Sequence, residues 1–168
     1  NISIYPLPSG QDLYPIDSSQ SYQPLTTLLE CARLEKKSTG LVVTCEFSHA
    51  TPASFGSHHY DRGSEEILTK QMVYNQIDVV LGGGTKYLEP HYNYLKSKGY
   101  QILTTKQEMY NCSESKYWGV FDRVELPYFI DQDTVTIPTL AEMTEKALIT
   151  LSQNPNGFFL MVEGSLVD

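Results

Sequence analysis

With 168 residues, 40% of them hydrophobic and 19% charged, the chain has material for one domain or a large part of one and is too apolar to stay disordered. A net charge of −8 repels polyanions, so nucleic-acid binding through a broad basic face is excluded, while a local cation could still hold a phosphate. The cysteines Cys31, Cys45 and Cys112 lie far apart with no C-x-x-C spacing, which excludes a sequence-readable zinc knuckle and weighs against a disulfide framework.

In chain order, residues 1–24 place Pro6, Pro8, Pro15 and Pro24 among Ser, Gly and Gln and read as an irregular lead-in. Pro24 is expected to open a helix with Leu25, Leu28, Leu29 and Ala32 on one face and Lys36-Lys37 near its end. Gly40 precedes a strand over Leu41–Phe47, in which Cys45, like Cys31 before it, reads as a small core residue. Ser64 is placed to cap a helix whose first turn holds Glu65 and Glu66, at the positive end of its dipole.

Ile77–Leu81 is a short buried strand running into Gly82-Gly83-Gly84. A helix over Tyr87–Lys96 ends at Gly99, and strands follow at Tyr100–Leu103 and Trp118–Phe121. Thr139-Leu140-Ala141-Glu142 is a capping box opening a helix through Leu151, with Leu140, Met143, Ala147, Leu148 and Leu151 facing inward. Phe158–Val162 is the last strand. Helices alternate with strands apolar on both faces, which predicts an α/β fold: a largely parallel sheet flanked by helices on both faces. No internal repeat, low-complexity segment or membrane-length apolar run interrupts this rhythm. The sequons Asn1-Ile2-Ser3 and Asn111-Cys112-Ser113 point weakly to secretion.

Two clusters could carry chemistry. Ser48, His49 and Thr51 directly follow the first strand, with His58, His59, Asp61 and Arg62 soon after. A loop at a strand's C-terminal end is where open α/β sheets place their sites. There, hydroxyl oxygen suits Mg²⁺, imidazole suits Zn²⁺, and a guanidinium grips two phosphate oxygens at once. The plainer alternative makes Thr51 a turn residue, leaves His58 and His59 on the surface, and pairs Arg62 with Asp61 or Glu65. In the second cluster, an apolar strand delivers Glu163 and then Asp168, with Gly164 and Ser165 between. A carboxylate half-buried at such a strand end implies a metal or an arginine partner. Gly82-Gly83-Gly84 lacks the spacing of a phosphate-cradling loop and reads as a tight strand-to-helix turn. Asp17-Ser18-Ser19 lacks the rigid support a nucleophile needs and reads as a turn.

Jointly these segments resemble the alkaline phosphatase family. Thr39–Thr44 leading into His49-Ala50-Thr51-Pro52-Ala53, with Arg62 beyond, is similar to one of its motifs. Asp78-Val79-Val80-Leu81-Gly82-Gly83-Gly84 and Gly157–Ser165 with Asp168 are similar to two more, in the family's order. The resemblance spans residues 39–168 and implies a three-layer sandwich, represented here in part by one domain over 1–168. It implies hydrolysis of phosphate monoesters through a phosphoserine, with two Zn²⁺ and one Mg²⁺. It also implies that Thr51 and Glu163 help hold Mg²⁺, Arg62 grips the substrate phosphate, Asp168 ligates zinc, and His49 stands behind the Mg²⁺ site.

No catalytic residue is expected within the chain itself: the family's serine nucleophile is expected before Asn1, and its later histidine ligands after Asp168. The 168 residues alone are therefore expected to be inactive. A homodimer in a secreted, periplasmic or membrane-anchored extracellular setting is implied by the resemblance only. Competing readings are a sulfatase or phosphodiesterase of the same superfamily and a non-catalytic remnant that binds phosphate or metal. A nucleotide-binding module is more distant, since no glycine fingerprint follows the first clear strand. An arginine fork on the non-bridging oxygens selects a dianionic phosphate, which favours the monoesterase.

Overall fold

The computed structural model describes residues 2–4 and 17–165; Asp168 and most of the Pro-rich lead-in lie outside the described residues. The strands are β1 (Ser38–Glu46), β2 (Val79–Gly83), β3 (Gln101–Leu103), β4 (Tyr117–Val120) and β5 (Phe158–Glu163). All pair in parallel, in the order β3-β4-β2-β1-β5. The helices are α1 (Leu28–Leu34), α2 (Ala50–Gly56), α3 (Glu65–Tyr74), α4 (Thr85–Leu88), α5 (Tyr92–Ser97), α6 (Lys106–Asn111) and α7 (Leu140–Leu151).

Because strand side chains alternate between faces, each buried strand feeds two cores. On one face Leu41, Val80 and Trp118 pack with Leu29 of α1, Leu68 and Met72 of α3, and Leu95 of α5. On the other, Val42, Leu81 and Tyr117 pack with Met109 of α6 and Met143, Ala147 and Leu151 of α7. The sheet is thus covered on both sides, as the apolar strands predicted.

Three helices begin with the same device. Thr27 with Glu30, Thr105 with Glu108 and Thr139 with Glu142 form reciprocal capping boxes that satisfy otherwise orphaned backbone N–H donors. The first of these starts α1 at Leu28 rather than at Pro24, so Leu25 and Leu28 stay exposed and Cys31 is exposed rather than core. The expected helix over Tyr87–Lys96 is broken into α4, a 3₁₀ turn at Glu89–His91 and α5, because Pro90 has no N–H to continue the ladder. On α7 the inward stripe is Met143, Ala147 and Leu151, and Leu148 points to solvent. Ser64 precedes α3 without a side-chain cap bond; its hydroxyl donates to Asp61 Oδ2 instead.

β1 is the axis of the sheet. Thr39 N–H donates to Asp78 Oδ2 at 2.9 Å just before β2, and the pairing with β5 runs unbroken to Val43 opposite Glu163. With β2 the register slips between Val42 and Glu46. There Leu126 N–H donates to Thr44 O at 2.9 Å, so the segment after β4 crosses the top of the sheet. β5 has a partner on one side only among the described residues, which leaves Phe158 and Val162 more exposed than a fully covered strand would be.

The glycines after β2 form the expected tight turn, with Gly84 at φ 108° capping α4. Gly83 has a steric reason as well: a Cβ there would lie 2.0 Å from Val124 O. The substitution Gly83→Ala is therefore expected to cost about 2 kcal/mol or more, read as a lower urea midpoint at unchanged slope.

Glu142 carries a second testable consequence. Burial opposes its charge, yet Lys106 at 2.7 Å, the Thr139 N–H and the Tyr110 hydroxyl together hold its carboxyl down at about 2. A depressed carboxylate stabilises the fold above the ordinary glutamate range and loses that contribution as the pH falls through its folded value. Glu142→Gln is expected to lose about 1 to 2 kcal/mol at neutral pH, with the difference from the parent closing between the ordinary glutamate range and about pH 2 in denaturation curves.

Candidate active site

The chain leaves β1 through Phe47 and Ser48 and turns at His49, whose extended backbone precedes α2. The residues read as loop thus include a helix, with Thr51 in its first turn. His49 makes no side-chain cap bond, and its ring instead meets the loop between α2 and α3. Arg62 Nη2 stands 3.1 Å from His49 Nε2. A guanidinium only donates, so Nε2 accepts and Nδ1 carries the proton. That Nδ1 is buried with no partner among the described residues.

The carboxylates nearest Arg62 in sequence are committed elsewhere. Asp61 Oδ1 accepts from Gly63 N–H at 2.9 Å and Oδ2 accepts from the Ser64 hydroxyl at 2.9 Å; these bonds hold its carboxyl below the usual range. Glu65 accepts from the buried Ser48 hydroxyl at 3.2 Å. Among the described residues Arg62 has no ion pair, so neither of the plain pairings forms. Its exposed fork is free to meet an oxyanion.

The imidazoles do not assemble. His58 turns away to Glu30, 2.8 Å from Nε2, and the His59 ring lies 4.5 Å from that of Tyr60.

Across the sheet mouth, Glu163 ends β5 opposite Val43 of β1. It is half-buried, and its Oε2 is buried without a hydrogen-bond partner among the described residues. Just past it, Ser165 N–H donates to Thr44 Oγ1 at 2.8 Å, and its hydroxyl donates to Cys45 Sγ at 3.1 Å. Burial first, and the nearby Glu163 and Glu46 charges with it, push the Cys45 thiol up to about 11.

A buried carboxylate oxygen without a donor is costly and is relieved by a cation. Glu163 and the exposed Thr51 hydroxyl are hard oxygen donors of the kind Mg²⁺ takes. They fit part of such a site only: among the described residues no group of three or more His, Cys, Asp or Glu could hold a metal ion. No hydrogen bond joins Thr51 to Glu163, and Asp168 falls outside the described residues. Sequence reading passed over Glu46, buried at the end of β1 with Lys86 Nζ at 3.4 Å. A lone carboxylate in an apolar run was the signal for it.

A family model described as alkaline phosphatase matches residues 14–168. Alkaline phosphatase 4 of Bacillus subtilis is 39% identical over 152 residues, which cover 84% of this chain and 33% of that protein. The crystal structure of a cold-active alkaline phosphatase from the psychrophile Shewanella sp. superposes with a TM-score of 0.83 at 40% identity, covering 88% of this chain and 37% of that one. A mutant alkaline phosphatase from the Antarctic bacterium TAB5, with Mg bound in its M3 site, matches with a TM-score of 0.73 at 28% identity over 84% of this chain and 42% of its own. The chain thus spans about a third of the length of such Bacillus subtilis relatives.

The thiols give a direct check on the burial at the sheet mouth. In the native chain Cys31 is expected to alkylate first, while Cys45 and Cys112, both buried with thiols pushed upward, react only on unfolding. Peptide mapping after a short iodoacetamide pulse at mildly alkaline pH reads the order.

Proposed function

Since the chain belongs to the alkaline phosphatase family, we propose that it serves a metal-dependent hydrolase of phosphate monoesters, with Arg62 as its phosphate clamp. The observation that carries this reading is the Arg62 guanidinium, fastened at one nitrogen by His49 at 3.1 Å and committed to no carboxylate among the described residues.

His49 takes one N–H of the fork and fixes the plane of the guanidinium. The remaining N–H groups can then bind two non-bridging oxygens of a dianionic phosphate in parallel. Preorienting the fork removes entropy that a free arginine would lose on binding. Glu163 and Thr51 would supply oxygen ligands to Mg²⁺, and Asp168 would ligate one of two Zn²⁺ ions. Bound metal ions supply the activation of an attacking oxygen and the neutralisation of a leaving one. The serine nucleophile and the remaining zinc ligands would come from residues outside these 168. A homodimer, a secreted, periplasmic or membrane-anchored extracellular location, and the absence of nucleic-acid binding belong to the same proposal.

The test has two arms. The 168-residue chain alone, supplied with Zn²⁺ and Mg²⁺, is expected to show no turnover of an aryl phosphate; metal-dependent turnover would overturn the division of labour above. In the protein extended to the length of its relatives, Arg62→Ala is expected to lower kcat/KM for monoesters on the order of 10²-fold. If the extended protein binds phosphate yet turns nothing over, the non-catalytic remnant replaces this reading.

A further inference from the structure

The loop that carries Arg62 begins at His58, whose backbone and ring both make hydrogen bonds to other segments. Its backbone N–H donates to Gln71 Oε1 at 2.7 Å, and its carbonyl accepts from Gln71 Nε2 at 3.0 Å, which fixes the main chain to α3. Its ring reaches two other elements. Nδ1 lies 2.8 Å from Ser3 O, and Nε2 lies 2.8 Å from Glu30 Oε1 on α1.

Both of those partners are acceptors. Ser3 O is a backbone carbonyl, which also accepts Leu25 N–H at 2.8 Å. Glu30 accepts Thr27 N–H at 2.9 Å through its other oxygen. Burial opposes the charge on Glu30, but the Thr27 N–H and the His58 ring hold its carboxyl below the usual range, so it stands ionised. A neutral imidazole has one N–H and one lone pair. In this setting the lone pair would face an oxygen lone pair at 2.8 Å, and only a doubly protonated ring satisfies both contacts.

We propose that His58 is an imidazolium clip, a positioning residue that joins the segment 2–4, α1 and the Arg62 loop through two charge-assisted hydrogen bonds. Its bearing on catalysis rests on Arg62 being the phosphate clamp; the clip itself does not.

The neighbouring contacts make the clip consequential. Ile2 and His59 exchange both backbone hydrogen bonds, at 2.6 and 2.9 Å, and the Ser3 hydroxyl donates to Ser54 O at the end of α2. Three residues after His59 comes Arg62. The charged and titratable groups that face the ring are few. From α1 come Glu30 and Arg33, the latter donating to Asn75 Oδ1. Tyr22, His59 and Tyr60 line its other side. From α3 come only the uncharged Gln71 and Asn75. Among the described residues Glu30 is the one anion in that set.

The clip therefore opens in acid. Acid neutralises Glu30, whose depressed carboxyl contributes stability above the ordinary glutamate range and loses it as pH falls through the folded value.

Two-bond nitrogen–proton NMR on the ¹⁵N-labelled 168-residue chain reads the ring directly and needs no variant. At neutral pH both His58 nitrogens are expected to carry protons; a neutral tautomer there overturns the proposal. Glu30→Gln, which keeps the shape and removes the charge, is expected to return the ring to a neutral tautomer. In His58→Ala the amides of Ile2 and His59 are expected to exchange about tenfold faster or more, while Val42 in β1 keeps its protection. Unchanged exchange at Ile2 and His59 would also count against the clip. Titrating inorganic phosphate while following the Arg62 side-chain Nε–H keeps the two ideas apart: no response there, with His58 doubly protonated, refutes the phosphate clamp and leaves the clip standing.

Discussion

The sheet mouth depends on how β1 is held. It is hydrogen-bonded on both sides, to β2 and to β5, and its side chains are buried for almost its whole length. A strand in that position cannot slip, because a shift of one residue would turn every core side chain to the opposite face. The same register sets Val43 beside Glu163 and Glu46 beside Gly83. It also fixes where the chain emerges at Phe47, Ser48 and His49. Phe47 is anchored against Trp118, ring to ring at 5.3 Å, so the exit of β1 is packed before the first candidate side chain appears.

Around that exit, charge is sorted by short-range donors. Asp61 closes its own loop through Gly63 and Ser64, Glu65 takes Ser48, and Glu46 takes Lys86. Each of these contacts is modest by itself, and those at the surface contribute little to stability. Their collective effect is selective. They use up the carboxylates that would otherwise neutralise Arg62, and they leave His49 as its partner. At the end of β5, Glu163 has a buried oxygen that no donor among the described residues satisfies. A cation-seeking carboxylate on β5 and an anion-seeking guanidinium on the loop after α2 thus make a complementary pair of demands.

Much of this was legible in the residues. The alternation of strands and helices followed from apolar runs and from punctuation such as Gly40, Gly99 and the Thr139–Glu142 capping box. The errors have local causes. Thr27 and Glu30 form the same box as Thr139 and Glu142, and overlooking it misplaced the start of α1. Pro90 falls inside the expected helix over Tyr87–Lys96 and interrupts it. Thr105-x-x-Glu108 announced α6 in the same notation and was missed. Leu148 was assigned inward because spacing alone cannot say where a broad apolar stripe ends.

The α/β fold class, the family and the candidates His49, Thr51, Arg62 and Glu163 are legible in the string of residues. These depend on local propensity and on motifs, which are written in consecutive residues. Which candidates meet is settled by packing between distant elements. The motif marks His49 as a candidate, but nothing in the string says that it turns to Arg62 or that His58 turns to Glu30 and Ser3. Nor does it say that Arg62 avoids Asp61 at its side. Such choices are made by contacts between elements far apart in the chain, where a side chain's partner is set by the register of β1 and by which neighbouring donors and acceptors remain unclaimed.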